Sequence, residues 1–207
     1  MKPVLFIDRD GVVLQEPPTD FQVDSLEKTS FVPGAISALA AIAADMDYYK
    51  VMVTNQDGLG TASYPEETFW PYHNLMTRTL EGEGFVFDEM IIDRTFAADN
   101  APTRKPGTEL LQHFFDQEKF DLSNSYVIGD RWSDIQLAKN LGCKAIYFIS
   151  ALHPLSDEHR AALSDTIAFE TNDWKAIYSF LKLGLRKVEH ARNTHETQIQ
   201  VSLNLDG

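Results

Sequence analysis

Cysteine is almost absent: one residue, Cys143, stands in a chain of 207. That excludes an intrachain disulfide and any zinc site built from several thiolates. Long apolar runs are missing as well. No stretch reaches the roughly 20 consecutive apolar residues that cross a bilayer. The start, Met1-Lys2-Pro3-Val4-Leu5-Phe6-Ile7-Asp8, meets a carboxylate after one short apolar run. That run is shorter than the apolar segment of a secretory signal, so a cytoplasmic location with no membrane partner is expected. Positive charge is scarce: 18 Lys and Arg stand against 31 Asp and Glu, a net −13. Such a surface argues against a nucleic-acid partner, which needs Lys and Arg to displace counterions. It does not argue against an anionic small molecule, because a bound divalent cation reverses the local field whatever the total. Six histidines are scattered with no two at metal-ligand spacing. Repeats and low-complexity tracts are also missing. What remains, 43% apolar and 24% charged residues, is an ordinary globular balance in a chain long enough to bury a core.

Strand-like apolar runs fall at 4–7, 49–53, 89–92, 126–128 and 145–149, with a sixth at 166–169. Helical segments alternate with them. The alanine-rich 35–45 follows Pro33-Gly34, and 65–80 carries Phe69, Trp70, His73, Leu75, Met76 and Leu80 at a helical rhythm. Pro106 opens a helix over 106–115, Gly142 stops one over 133–141, and 174–183 closes the series. The strands are near-continuously apolar, as strands buried on both faces are. The alternation predicts an α/β fold: a doubly wound, mostly parallel sheet with helices on both faces. Near Leu183 the composition changes. Residues 186–207 are polar, then alternate through Thr197, Ile199, Val201, Leu203 and Leu205. That is one amphipathic strand with no partner strand after it. It reads as a tail or edge strand, or as the first strand of a further domain. The expected division is therefore 1–183 and 184–207.

In open parallel sheets, ligands sit beyond the carboxyl ends of the strands. Four such ends carry polar clusters here: Asp8 and Asp10, then Thr54-Asn55-Gln56, then Arg104-Lys105-Pro106, then Asp130 with Asp134. An aspartate after a strand is usually a turn residue or helix cap. Four clusters in this order carry more weight than any one. Converging carboxylates repel unless a cation joins them, and oxygen-only ligation favours Mg²⁺. One carboxylate not spent on metal can attack phosphorus, and a lysine offsets the charge of the transferred group. An aspartate two residues along can protonate the leaving oxygen, and Gly11 lets the chain turn away.

These stretches resemble the motifs of the haloacid dehalogenase superfamily of phosphatases: Asp8-Arg9-Asp10-Gly11-Val12, Thr54-Asn55-Gln56, Lys105, and Gly129-Asp130 with Asp134, in the expected order. The resemblance covers about residues 1–183. It looks most like the small-cap group that includes histidinol-phosphatase and the heptose bisphosphate phosphatases. It implies that Asp8 is the nucleophile and Asp10 the general acid and base. Asp8, the backbone carbonyl of Asp10 and Asp130 would bind Mg²⁺. Thr54 and Asn55 would hold the phosphate and Lys105 would neutralise charge. Asp134 would support the metal or Lys105. The substrate would be a small phosphomonoester. The tail, Arg192-Asn193-Thr194-His195-Glu196-Thr197-Gln198-Ile199 and Leu203-Asn204-Leu205-Asp206-Gly207, resembles the opening strand of imidazoleglycerol-phosphate dehydratase. That implies histidinol phosphate as substrate and assembly through a missing C-terminal dehydratase domain. The dehydratase's paired histidines are absent, so no dehydratase activity is expected from these residues.

One departure concerns a structural zinc loop that many members of this group carry before the Lys105 motif. The matching positions look like Asp93, Thr95, Ala101 and Thr103, which cannot form a thiolate site. No structural zinc is expected, and the loop should be held by packing and Pro102. The segment 15–29 is too short for a large cap, so the site should be open, closed mainly by that segment and the loop 97–103. Cys143, Phe69 and Trp70 read as core, although Trp70 could border the pocket. Phe21 could stack on an imidazole. Arg9 and Arg131 read equally as substrate contacts or surface ion pairs. Gly58 and Gly60 let their loop approach the site. The rival readings are a sugar (heptose) bisphosphate phosphatase, a phospho-accepting receiver domain, and a non-catalytic interaction domain.

Overall fold

The computed structural model describes residues 1–184, 187–193 and 198–204, with side chains described over 1–184. Six strands form one sheet: β1 (Lys2–Ile7), β2 (Tyr49–Asn55), β3 (Glu89–Asp93), β4 (Phe120–Gly129), β5 (Lys144–Phe148) and β6 (Ile167–Thr171). Their order is β3-β2-β1-β4-β5-β6. Every pair is parallel. The chain winds outward from β1 to β3, then returns to the other side of β1 with β4. That reversal places the topological switch between β1 and β4, where open sheets bind ligands.

The sheet is central because its strands are apolar on both faces. In β1, Val4 and Phe6 join one core cluster, and Leu5 and Ile7 join the other. This is the period-2 alternation of a strand clad on both sides. α1 (Ala35–Asp45) and α5 (Trp174–Gly184) pack together over the Leu5/Ile7 face. α3 (Trp132–Leu141) and α4 (Asp157–Leu163) pack on the other. Trp174 Nε1 donates to the Val12 carbonyl at 2.8 Å and pins the segment leaving β1.

Some expected helices differ in kind. The segment 65–80 is a 3₁₀ turn, Glu66–Thr68, followed by α2 (Trp70–Gly82). Pro71 cannot donate to the preceding turn, so the helix restarts with proline in its first turn. The helix expected over 106–115 is 3₁₀, Glu109–Phe115. Its start is tied down by the Glu109 N–H bond to the Pro102 carbonyl. α4 carried no strong sequence signal beyond its Ser156 cap. The alternating tail has a partner on its N-terminal side: β7 (Lys187–Asn193) pairs antiparallel with β8 (Gln198–Asn204) in a separate two-stranded sheet. Thr197 and Leu205 lie outside the described residues. Among the described residues, no helix is long and apolar enough to cross a membrane.

Candidate active site

The carboxyl ends of β2, β1 and β4 are neighbours, so Thr54, Asp8 and Asp130 meet at one edge of the sheet. The Asp8 N–H donates to the Ile128 carbonyl at 2.9 Å, which fixes the aspartate against β4. Lys105 is buried and joins three elements. Its Nζ lies 2.8 Å from Asp8 Oδ1 and 2.7 Å from Asp134 Oδ1, and it donates to the Val53 carbonyl at 2.9 Å. Asp134, in the first turn of α3, accepts from the Arg131 N–H at 3.0 Å through its other oxygen. Glycines make this convergence possible. Gly11 has φ +79°, and a Cβ there would run into the Asp130 carboxylate. A Cβ on Gly129 would run into Asp134.

Asp130 is the anomaly. It is 0% exposed, and among the described residues neither of its carboxylate oxygens has a hydrogen-bond partner. Burial, with the charges of Asp8 and Asp134, pushes it up to about 8. Burial also pushes Asp8 up to about 7, against the pull of Lys105. Burial works against the Lys105 ammonium, but Asp134 and Asp8 outweigh it and hold its pKa above the ordinary value. One oxygen from each of Asp8, Asp130 and Asp134 lies within 4.8 Å of the others. Three buried carboxylates with one lysine are short of positive charge. An orphaned carboxylate in an all-oxygen cluster fits a hard divalent cation such as Mg²⁺.

Asp10 stands apart from that cluster. Arg9 Nη1 contacts both its oxygens, at 2.9 and 3.1 Å. Gln56 Nε2 donates to Asp10 Oδ2 at 2.6 Å and to Thr54 Oγ1 at 2.8 Å. The Asn55 side chain brackets Lys105: its Oδ1 accepts from the Lys105 N–H at 3.0 Å, and its Nδ2 faces the Lys105 carbonyl at 3.4 Å. A cavity of about 610 Å³ opens above these groups, lined by Asp8, Asp10, Thr54, Asn55, Lys105 and Arg131. Asp130 and Asp134 are buried and not among its lining residues. The rim comes from the segment after β1 (Glu16, Asp20, Phe21, Gln22) and from Asp57, Ala97, Asn100, Ala101 and Arg104. The two segments expected to border an open site therefore do so.

Of the two arginines, Arg131 lines the cavity and pairs with Glu16. Arg9 is fully buried, away from the cavity and from the surface. Neither role expected for it holds, because the chain turns its side chain inward onto Phe69. Trp70 does not border the cavity; Trp132 does. Phe21 lines it with φ 58°, a strained backbone for a bulky side chain. Cys143 is buried, and burial pushes its thiol up to about 12. His73 is stacked on Phe69, and burial holds it down to about 4. Gly58 makes its turn with φ +71°, and a Cβ there would strike the Phe96 ring.

The loop after β3 is held differently from the expectation of packing and Pro102. Buried Asp93 accepts from the Thr95 N–H at 3.0 Å, from Thr95 Oγ1 at 2.6 Å and from Thr103 Oγ1 at 2.6 Å. The loop is closed by a carboxylate gripping two hydroxyls. Sequence reasoning also missed Glu16 and His153. Glu16 is buried and holds both Arg131 and His153. These residues are separated by more than a hundred positions, and no local pattern marks them. Gln56, which no sequence signal singles out within Thr54-Asn55-Gln56, bridges Asp10 and Thr54.

A family model described as HAD-hydrolase-like matches residues 102–168. The chain is 51% identical over 206 residues to the histidine biosynthesis bifunctional protein HisB of Bacteroides fragilis, covering 100% of this chain and 54% of that protein. It is 51% identical over 213 residues to the protein of that name from Spirosoma linguale, covering 100% of this chain and 56% of the relative. The chain thus spans about half the length of the curated relatives it matches. Among solved structures it resembles D,D-heptose 1,7-bisphosphate phosphatase from B. bronchiseptica complexed with magnesium and phosphate, with TM-score 0.71 and 27% identity. That match covers 87% of this chain and 98% of the other.

Proposed function

The chain belongs to the haloacid dehalogenase-like hydrolases, and from that premise we propose that it is a Mg²⁺-dependent phosphomonoesterase acting on L-histidinol phosphate. The carrying observation is the buried, unpartnered Asp130 beside Asp8, Asp134 and Lys105. In this reading Asp8, the backbone carbonyl of Asp10 and Asp130 hold the cation, with Asp134 supporting Lys105 and the site. The cation would offset the charge of the phosphate dianion as it nears an anionic carboxylate. Asp8 attacks phosphorus in line while Asp10 gives its proton to the ester oxygen. Water, activated by Asp10, then hydrolyses the aspartyl-phosphate. Lys105 offsets charge on Asp8 and the transferred group. The Thr54 hydroxyl and Asn55 hold phosphate oxygens, Asn55 also fixing the Lys105 backbone.

The leaving group is read from the rim. Glu16, Asp20 and Asp57 put carboxylates around the cavity. Arg131 is spent on Glu16 and Arg104 on Asp57. Lys105 is spent on Asp8 and Asp134. Among the described lining residues, no arginine or lysine is left for a second phosphate. Histidinol phosphate brings an amine and an imidazole, both basic, to this acidic rim. A heptose bisphosphate, the second reading favoured by the solved neighbour, brings another dianion. A receiver domain is disfavoured by Asp10, which has its own holding network beside the nucleophile. Residues 184–207 are read as the start of a dehydratase-like domain through which the longer protein assembles. Phosphate release with Mg²⁺ tests the substrate. A kcat/KM favouring histidinol phosphate over heptose bisphosphate by about tenfold or more, roughly 1.4 kcal/mol, is expected. The opposite preference would replace the first reading with the second.

A further inference from the structure

Arg9 is an expensive residue. Its side chain is 0% exposed, and among the described residues its Nε and Nη2 make no hydrogen bond of good geometry, although the Tyr64 hydroxyl lies close by. Its guanidinium carbon lies 4.9 Å from the centre of the Phe69 ring, which covers it. Burying an arginine with two of three nitrogens unmatched is costly unless something offsets it. What it does make is a two-oxygen contact with Asp10, at 2.9 and 3.1 Å from Nη1. Gln56 completes the grip from the end of β2. Its amide nitrogen bridges Asp10 Oδ2 at 2.6 Å and Thr54 Oγ1 at 2.8 Å. Asp10 is thus held from two separate elements, one contact lying wholly behind the cavity wall. Its side chain is only 13% exposed, so it has little freedom to reorient.

We propose that Arg9 and Gln56 are positioning residues that act through Asp10, holding its carboxyl at the ester oxygen of the leaving group. The inference rests on the phosphatase reading above. In the first chemical step the bond from Asp8 Oδ to phosphorus forms as the bond from phosphorus to the ester oxygen breaks. The Asp10 proton passes to that oxygen, and the alcohol departs neutral. The positioned proton matters when the leaving group is an alkoxide. It matters little when the leaving group is p-nitrophenolate, which departs as a stable anion. Placement errors of an ångström can cost a hundredfold in rate.

The test compares kcat/KM, which reports events up to alcohol release, for two esters. One is the alkyl phosphate that the unaltered chain hydrolyses fastest with Mg²⁺, and the other is p-nitrophenyl phosphate. In Arg9→Met and in Gln56→Met, the alkyl ester should fall about a hundredfold or more and the aryl ester by less than about threefold, the signature of lost general-acid positioning. Equal falls on both esters, or an unchanged alkyl rate, would overturn the inference while the unaltered enzyme stays active. Should Arg9→Met fail to fold, Gln56→Met decides alone, since Gln56 lines the cavity rather than the core. If the unaltered chain with Mg²⁺ releases phosphate from neither ester, the phosphatase reading fails and takes this inference with it.

Discussion

Asp130 carries the sharpest single-residue consequence. Its carboxyl is pushed from 3.8 to about 8 when folded, so between those values the folded chain holds a proton that the unfolded chain has lost. Metal-free stability contributed by this group is therefore present at low pH and drains away as pH rises from about 4 through 8. Asp130→Asn removes that penalty. Without metal, the variant should gain on the unaltered chain between pH 5 and pH 8, by on the order of 4 kcal/mol in urea melts. Adding Mg²⁺ should stabilise the unaltered chain and leave Asp130→Asn nearly unmoved; stabilisation of both would place the cation elsewhere. Asp8→Asn keeps the volume and removes the proposed nucleophile. Phosphate release should drop by about 10⁴-fold or more, in line with losses of covalent nucleophiles, with the thermal transition retained. A variant turning over at the normal rate would move the nucleophile to another residue.

At the scale of elements, the site is a set of strand ends kept in line by the loops that leave them. The Gln56 N–H donates to the Asp93 carbonyl at 2.7 Å, so the loops after β2 and β3 share a seam. Arg104 carries that seam to Asp57 and to the Thr95 carbonyl, at 2.6 and 3.0 Å. Asp93 is the knot. Asp93→Ala would leave two hydroxyls and an amide without their acceptor. It should cost about 1–3 kcal/mol of stability and open residues 94–103 to limited proteolysis. Because this loop supplies Ala97, Asn100 and Ala101 to the rim, KM should rise more than kcat falls; an equal loss in both would indicate damage to Lys105 instead. The identity of the helical elements was less readable than that of the strands. Pro71 divides one expected helix, and the anchoring of Glu109 on Pro102 tightens another into 3₁₀ form.

Across the whole molecule, a net charge of −13 goes with a site for which an anionic substrate is proposed. The two are compatible because buried Lys105 and the proposed cation would act locally, where screening is weak. The separate β7–β8 sheet shares no strand with the six-stranded sheet. A chain ended after Gly184 should keep its thermal transition and release phosphate within about threefold of the longer chain, since the six-stranded core closes on its own apolar faces. A large loss would show that the hairpin supports the core. Apart from α4 and β7, the order of β-strands and helices could be read from the chain itself, as could the parallel sheet and the meeting of Asp8, Asp10, Thr54, Lys105 and Asp130 near its strand ends. Each of those signals is local: an apolar run of fixed period, a turn, a polar cluster at a strand end. The burial of Arg9 on Phe69, the Glu16 pairing with Arg131 and His153, and the Asp93 knot could not. The first two join residues far apart in sequence and the third closes a loop of ten residues, and only the packed chain brings these groups into contact.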